Sequence, residues 1–138
     1  MGRLSRTKGA GFERKVASAF RTAGFVDARR GLSQTRNGSE VPDVEGVPGF
    51  WIETKHRIRC NTQAALAQAN ASRAAARIYG DPKRPVAITK DNRAKPVATM
   101  LFTDFLVLLI QLRKAEARAV YLEAALKEAL ENSEKGAA

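Results

Sequence analysis

Residues 41–56 read VPDVEGVPGFWIETKH, and this stretch decides the fold of the chain. Two runs with strand-like composition, 41–45 and 50–56, flank the loop 46–49, which contains two glycines and a proline. A short glycine-containing loop between two such runs predicts an antiparallel β-hairpin. We therefore expect the domain to be built around this hairpin.

The register of the hairpin places two acidic side chains opposite each other. In an antiparallel pair the residue numbers of partners sum to a constant, and the position of the loop sets that sum at about 96. Asp43 then faces Glu53, with Cβ atoms roughly 5 Å apart. Lys55 shares the face of Glu53 because alternate strand residues point the same way. Phe50 and Ile52 point to the other face, where they can fill a core.

Asp43 and Glu53 have the chemistry of a metal site. Two facing carboxylates repel each other, and a divalent cation between them removes the repulsion. Carboxylate oxygens, a backbone carbonyl and water are ligands that Mg²⁺ accepts. Such an ion polarises a phosphoryl oxygen, and an ammonium group such as that of Lys55 stabilises developing negative charge. The pattern therefore points to metal-dependent phosphodiester hydrolysis, with Trp51 packed beside the site.

The net charge favours a polyanionic partner. The 138 residues include 24 Lys and Arg against 14 Asp and Glu, for a net charge of +10. Such a charge favours nucleic acid over an anionic membrane. Residues 1–60 carry +6, residues 61–103 carry +5 and residues 104–138 carry −1. We therefore expect the DNA-facing surface in the first three quarters of the chain.

Other features of the composition exclude several classes of protein. One cysteine and one histidine rule out an internal disulfide, a cysteine zinc site and a paired-histidine metal site. The length suits one domain, and 44% hydrophobic residues support a real core. No apolar segment of a signal peptide follows residues 1–6, and the longest apolar run, 105–110, is too short to span a bilayer. We expect a cytoplasmic protein without membrane contact.

Patterns on both sides of the hairpin predict a mixed α/β domain. Phe12, Val16 and Phe20 form one apolar helical stripe, and residues 31–39 have the composition of a flexible loop. The predicted elements are a helix that Gly24 ends, strands 25–29, 41–45 and 50–56, a helix over 61–78 capped by Asn61 or Thr62, strands 85–90 and 96–102, and a helix from Thr103 to about Asn132. This order predicts helices packed on a central sheet.

The acidic hairpin also resembles a known nuclease motif. Pro42-Asp43 followed by Glu53-Thr54-Lys55 is similar to the motif of the PD-(D/E)xK nuclease superfamily. The segment Gly11-Phe12-Glu13-Arg14-Lys15, the Gly24-Phe25 turn and Arg29-Arg30 resemble the N-terminal half of archaeal-type Holliday junction resolvases and their small phage-encoded relatives. The resemblance covers about residues 8–90.

The resemblance implies a restriction-endonuclease-like core, α-β-β-β-α-β, with a central mixed sheet flanked by helices. It implies a Mg²⁺-dependent DNA endonuclease, with Mn²⁺ as a substitute, in a bacterial, archaeal or phage-infected host cell. Asp43, Glu53 and the backbone carbonyl of Thr54 would be metal ligands, and Lys55 the catalytic lysine. Glu13 would complete the site through water or a second metal. The family's loop serine has two candidate counterparts, Ser33 and Ser39.

A further group of side chains is predicted to contact DNA phosphates. Such donors, in loops and at strand ends beside a metal site, commonly hold phosphate oxygens. The group consists of Arg29, Arg30, Ser33, Gln34, Arg36, His56, Arg57, Arg59 and Gln68. Gln68 belongs to it because the family's helix after the lysine often places a polar residue near the site. Arg29→Ala and Arg30→Ala are each expected to make DNA binding less sensitive to salt.

Residues 104–138 are expected to form a C-terminal helical element after a nuclease-like domain over residues 1–103. Apolar residues recur there at spacings of three and four, which is the pattern of a coiled coil. This apolar seam consists of Phe105, Leu108, Leu112, Ala115, Ala119, Leu122, Leu126 and Ala129. It predicts a homodimer or larger homo-oligomer. The alternative is that the first half of the helix packs on its own sheet and the rest frays.

Several functions stay open from the sequence alone. The first is an endonuclease that cuts branched DNA, including Holliday junctions. A nicking or non-specific DNA nuclease would use the same residues. A non-catalytic nucleic-acid-binding module on a nuclease fold would use the positive charge to bind nucleic acid but would not hydrolyse it. A structural interaction protein organised by the C-terminal helix would need no metal.

Overall fold

The computed structural model describes residues 3–32, 35–36, 39–76 and 83–137, and the chain divides into two units, residues 1–101 and 102–138. The first unit is an α/β domain and the second is a helix. In chain order the elements are α1 (Arg3–Thr22), β1 (Arg29–Arg30), β2 (Thr35–Arg36), β3 (Ser39–Glu40), β4 (Val44–Glu45), β5 (Phe50–Arg57), α2 (Thr62–Ala75), β6 (Arg84–Asp91), β7 (Val97–Met100) and α3 (Phe102–Gly136).

Five strands form one mixed sheet in the order β1-β4-β5-β6-β7, and β2 and β3 form a separate ribbon. β5 and β6 are parallel, whereas the other neighbours in the sheet are antiparallel. Parallel strands cannot be joined by a tight turn, and α2 makes the crossover between them. Val44 pairs with Ile52 across β4 and β5, which is the register predicted for the hairpin.

The hairpin loop depends on its glycines. Gly46 and Gly49 both have a φ of 81°, in the left-handed region that favours glycine. At Gly46 a Cβ atom would lie 2.1 Å from the carbonyl oxygen of Asp27. The predicted two-glycine hairpin is therefore confirmed, and its first glycine also lets the loop approach the segment before β1.

Both faces of the sheet are covered by a helix. The face toward α1 contains the larger cluster of buried side chains, which consists of Phe12, Val16, Ala17, Ala28, Val44, Val47, Ile52 and Val86. On the other face, Ala65 and Leu66 of α2 pack with Ala87 of β6. The predicted division of β5 is confirmed, because Ile52 lies in the α1 cluster and Phe50 packs against it.

The first helix ends at the predicted glycine, and the strand predicted after it is mostly absent. Gly24 has a φ of 104°, and the N–H of Phe25 donates to the carbonyl of Phe20 at 3.0 Å, as in a glycine-terminated helix. The N–H of Ala28 then donates to the carbonyl of Phe25 at 2.9 Å. This turn occupies residues 25–28, so the strand predicted over 25–29 is wrong and β1 is Arg29–Arg30.

The prediction for residues 31–39 is wrong, and the first strand of the hairpin is shorter than predicted. Residues 31–39 were expected to be a loop, but Thr35 pairs with Glu40 and Arg36 pairs with Ser39 in the β2–β3 ribbon. The strand predicted over 41–45 is only Val44–Glu45. Pro42 has no N–H to donate to a neighbouring strand. The N–H of Thr54 donates to the side chain of Asp43 rather than to a backbone carbonyl of β4.

The later elements differ from the prediction mainly at their ends. Asn61 is the N-cap of α2, and its side chain accepts the N–H of Ala64 at 3.0 Å. That helix ends at Ala75 rather than at residue 78, which lies outside the described residues. The last strand is Val97–Met100, and the last helix begins at Phe102, one residue earlier than predicted.

The helix α3 is 35 residues long, and none of its described residues is buried. At 1.5 Å per residue its length is about 50 Å. Its exposed large apolar side chains are Phe102, Phe105, Leu106, Val107, Leu109, Ile110, Leu112, Val120, Tyr121, Leu122, Leu126 and Leu130. In the part of the chain that the structure describes, no helix combines the length and apolar character needed to cross a bilayer.

Candidate active site

A polar cleft of about 420 Å³ opens beside β5 and brings the predicted catalytic residues together. It is lined by Gly9, Glu13, Glu40, Val41, Asp43, Glu53, Thr54, Lys55, His56, Arg57, Gln68 and Ser72. Every residue predicted to act in catalysis or metal binding is in this set. The lining residues come from α1, β3, the segment before β4, β5 and α2, so only the folded domain assembles them.

Asp43 is held against β5 by two hydrogen bonds. Its Oδ2 atom accepts the backbone N–H of Thr54 at 2.8 Å and the Thr54 hydroxyl at 3.3 Å. The carboxylate thus substitutes for the backbone carbonyl that a longer β4 would offer. The pairing of β4 with β5 begins at Val44, so Asp43 lies just before it. The two hydrogen bonds orient the Asp43 carboxylate before any ligand binds.

Glu53 is the buried member of the acidic pair. Its exposed fraction is 5%, and the indole Nε1–H of Trp51 donates to its Oε1 atom at 3.0 Å. Trp51 itself has an exposed fraction of 0%. The sequence predicted only that Trp51 packs beside the site. Its hydrogen bond to Glu53 follows from the spacing of two residues on one strand face.

The pKa of Glu53 is raised to about 8. Burial is the largest cause, and the charge of the Asp43 carboxylate acts in the same direction. The hydrogen bond from Trp51 and the positive charge of Lys55 lower the pKa, but they offset the rise only in part. Burial of Glu53, together with the nearby Asp43 carboxylate, therefore keeps Glu53 protonated near neutral pH.

This raised pKa makes the stability of the metal-free protein depend on pH. Glu53 binds its proton more tightly in the folded chain, so its favourable contribution is complete below about pH 4.5 and is lost as pH rises through about 8. Each pKa unit corresponds to about 1.4 kcal/mol, so we expect a loss of a few kcal/mol at most. Urea denaturation in EDTA at several pH values measures it.

The matched variants for this pH effect are Glu53→Gln and Glu116→Gln. Glu53→Gln should remove most of the pH dependence of the free energy of unfolding, whereas Glu116→Gln, on the exposed α3 helix, should keep it. Equal pH profiles for the wild type and Glu53→Gln would contradict the prediction.

Lys55 and Gln68 complete the polar wall of the cleft. Lys55 follows Glu53 by two residues on β5, and its charge acts on the Glu53 carboxyl group. Gln68 is on α2, and Ser72 follows it one helical turn later in the same cleft. The sequence prediction missed Ser72, although its spacing of four residues from Gln68 places it on the same helix face.

Glu13 lies in the cleft, but it is also paired within the protein. The Nε–H of Arg30 donates to its Oε2 atom, and this ion pair is partly buried. Arg29 similarly lies 3.5 Å from Glu45, measured from Nε to Oε2. Both arginines were predicted to contact DNA, and in this structure each guanidinium group has a carboxylate partner.

The remaining predicted phosphate-binding residues are distributed differently. Arg57 lines the cleft at the end of β5, and Arg59 lies in the loop that follows. Arg36 is in β2, whereas Ser33 and Gln34 lie outside the described residues. Glu40 of β3 also lines the cleft. The sequence prediction missed this residue because residues 31–39 were interpreted as a flexible loop.

His56 lies at the border of the cleft and contacts Phe12, with ring centroids 5.4 Å apart. Burial, followed by the positive charges of Lys8, Lys90 and Lys15, lowers the pKa of His56. The ring is therefore mainly neutral at pH 7. A neutral imidazole can still donate one hydrogen bond to a phosphate oxygen. The predicted phosphate contact of His56 therefore stays a prediction, and it would be a hydrogen bond from an uncharged ring.

The donors in the cleft fit a hard divalent cation. Within the described ranges, no three His, Cys, Asp or Glu side chains form a metal-binding group. Mg²⁺ needs fewer, because proteins commonly hold it with one or two carboxylates, water and substrate phosphates. Asp43, Glu53 and the Thr54 carbonyl supply oxygen ligands only. A cation beside them would also remove the repulsion that contributes to the raised pKa of Glu53.

Comparison of the chain with protein-family models, with curated proteins and with solved structures found no match.

Proposed function

We propose that this chain is a divalent-metal-dependent endonuclease that hydrolyses DNA phosphodiester bonds. The observation that supports this most strongly is the pair formed by Asp43 and Glu53. Each carboxylate is oriented by a hydrogen bond from the fold, and their proximity helps raise the pKa of Glu53 to about 8. A pair held at such a cost in stability is typical of a site that a cation completes.

The order of elements supports a restriction-endonuclease-like core. Without the β2–β3 ribbon, the elements from α1 to β6 run α-β-β-β-α-β, with α2 crossing between parallel strands. The acidic pair lies at the centre of this order, on the segment before β4 and on β5. The ribbon is then an insertion between the first two strands of the core, and its residue Glu40 contributes to the cleft.

The residues of the cleft have separable roles in the proposed reaction. Asp43, Glu53 and the Thr54 carbonyl would hold Mg²⁺ or Mn²⁺. The bound ion would polarise the phosphoryl oxygen and lower the pKa of a water ligand. The Lys55 ammonium group would stabilise the charge that develops on the phosphoryl oxygens. Arg30 pairs with Glu13, whose carboxylate would hold a water molecule in the cleft.

We propose branched DNA, including Holliday junctions, as the substrate class. The cleft and the net charge support nuclease chemistry on DNA, and the resemblance of residues 8–90 to junction resolvases supports the substrate. The test is a panel of linear, nicked, flapped and four-way DNA duplexes, incubated with Mg²⁺ or Mn²⁺ and compared with EDTA. Equal cleavage of all substrates would favour a non-specific nuclease, and binding without cleavage would favour a non-catalytic module.

The helix α3 supports a homodimer in this proposal. Four large side chains of the apolar seam, Phe105, Leu112, Leu122 and Leu126, are between 45% and 61% exposed, and Leu108 is half-buried. A coiled coil with a second copy would bury this seam. Two copies related by a two-fold axis would present two clefts, which suits paired cuts on a symmetric junction.

Shortening α3 tests the homodimer directly. We expect a chain that ends at Arg118 to associate more weakly than the full chain and to sediment as a monomer. The reason is that it lacks Ala119, Leu122, Leu126 and Ala129 of the apolar seam. In the full chain, Leu122→Glu should also weaken association, whereas Lys127→Ala on the opposite charged face should not. A full-length protein that stays monomeric at high micromolar concentration would contradict the homodimer and leave the nuclease proposal intact.

A further inference from the structure

A second cavity, of about 210 Å³, adjoins the cleft at the end of β5. Its polar lining consists of Lys55, Arg57, Arg59, Cys60, Asn61 and Gln68. Lys55, Arg57 and Gln68 line both the cavity and the cleft, so the two spaces are neighbours along this wall. A ligand that extends out of the cleft along this wall would therefore enter the cavity.

The wall of this cavity is held in place by the sheet. The N–H of Cys60 donates to Oδ1 of Asp91 at 2.7 Å, and its thiol contacts the carbonyl oxygens of Lys55 and Lys90 at 3.6 Å and 3.5 Å. These bonds tie the loop after β5 to the ends of two neighbouring strands. The loop that carries Arg59 is thus preorganised without a ligand.

Among the described residues, the lining of the cavity includes three positive side chains and no acidic one. In the described part of the chain, neither Arg57 nor Arg59 forms an ion pair or a hydrogen bond through its side chain, in contrast to Arg29 and Arg30. Free guanidinium groups around a small space match the oxygens of a phosphate group. The cavity also lies at the start of α2, where the helix dipole has the same positive sign.

We propose that this cavity binds one phosphate group of the DNA strand, next to the phosphate that is cleaved. The inference rests on the proposed nuclease function, because the cleft defines which phosphate is attacked. Arg59 is its main residue, since Arg59 lines the cavity and not the cleft. The cavity would set the register of the strand and so determine which phosphodiester bond lies beside Asp43 and Glu53.

The first test measures DNA affinity in EDTA as a function of salt. One phosphate contact contributes about 0.9 to the slope of log affinity against log salt for duplex DNA. Arg59→Gln should make the slope shallower by about that amount. Arg113→Gln has the same change in net charge on exposed α3 and should bind as the wild type does. A wild-type slope for Arg59→Gln would overturn the proposal.

The second test locates the phosphate. Duplexes are made in which one phosphate near the observed cut is replaced by a neutral methylphosphonate. The replacement next to the cut should weaken binding of the wild type several-fold and have much less effect on Arg59→Gln. If only a distant replacement behaves in this way, the proposal is overturned. A wild-type protein that never cleaves with Mg²⁺ would instead defeat the nuclease function, whereas the salt slopes in EDTA would still report on Arg59.

Discussion

Asp43→Asn or Glu53→Gln should lower Mg²⁺-dependent DNA cleavage by about 10³-fold or more, which corresponds to a barrier higher by roughly 4 kcal/mol. Each variant removes one charged oxygen donor from the proposed metal site. Folding should persist, because an amide oxygen at position 43 can still accept the Thr54 N–H, and an amide oxygen at position 53 can still accept the Trp51 N–H. The measurement is the single-turnover rate on the best substrate of the DNA panel.

DNA binding separates loss of chemistry from loss of structure in these variants. Both should bind DNA in EDTA at least as tightly as the wild type, since Asp43→Asn removes a negative charge from the cleft and Glu53→Gln replaces a carboxyl group that is protonated near neutral pH. Glu116→Gln is a useful control, because it removes an acidic group from the exposed α3 helix. Strong Mg²⁺-dependent cleavage by Asp43→Asn or Glu53→Gln would show that these carboxylates do not hold the catalytic metal.

Lys55→Met should reduce the cleavage rate by about 10²-fold to 10³-fold, a typical effect of removing one group that stabilises developing charge. Methionine keeps most of the length of the side chain, so packing against the cleft wall should change little. The lost interaction acts mainly in the transition state, and therefore the rate at saturating DNA should fall more than the affinity. Single-turnover rates and binding in EDTA provide the two quantities.

Two comparisons sharpen the test of Lys55. Lys55→Arg keeps the charge and should recover part of the rate, whereas Lys90→Met removes a lysine from β6 that does not line the cleft. A rate near the wild-type value for Lys55→Met would mean that this lysine is an ordinary surface residue. In that case Arg57 would be the next candidate for the same role.

The arrangement of the acidic pair could be predicted because it depends on short-range geometry. The hairpin loop determines the register of Val44 with Ile52, and the register determines that Asp43 lies near Glu53. The helix ends at Gly24 and Asn61 were predictable for the same reason, since each depends on the local backbone. Residue roles inferred from the family resemblance stay predictions.

Features that depend on contacts across the fold could not be predicted from the sequence. Nothing in the local pattern shows that Arg30 pairs with Glu13 on another element, or that Arg29 pairs with Glu45. The pKa of Glu53 depends on burial that only the packed domain creates. Residues 25–28 form a turn rather than a strand, and in this turn Phe25 packs against Phe20 at the end of α1.

The two partners of β5 differ in how far apart they lie along the chain. Val44 pairs with Ile52 across a short loop, whereas Phe50 pairs with Arg84 across the whole α2 crossover. Local pairings close with little loss of chain entropy, and distant ones limit the rate of folding. During folding, Asp43 and Glu53 should therefore meet while water still surrounds them, and dehydration should follow when β6 and α2 dock. The unfavourable burial and repulsion of the two acidic groups should then develop after the transition state of folding. They should therefore speed unfolding more than they slow folding.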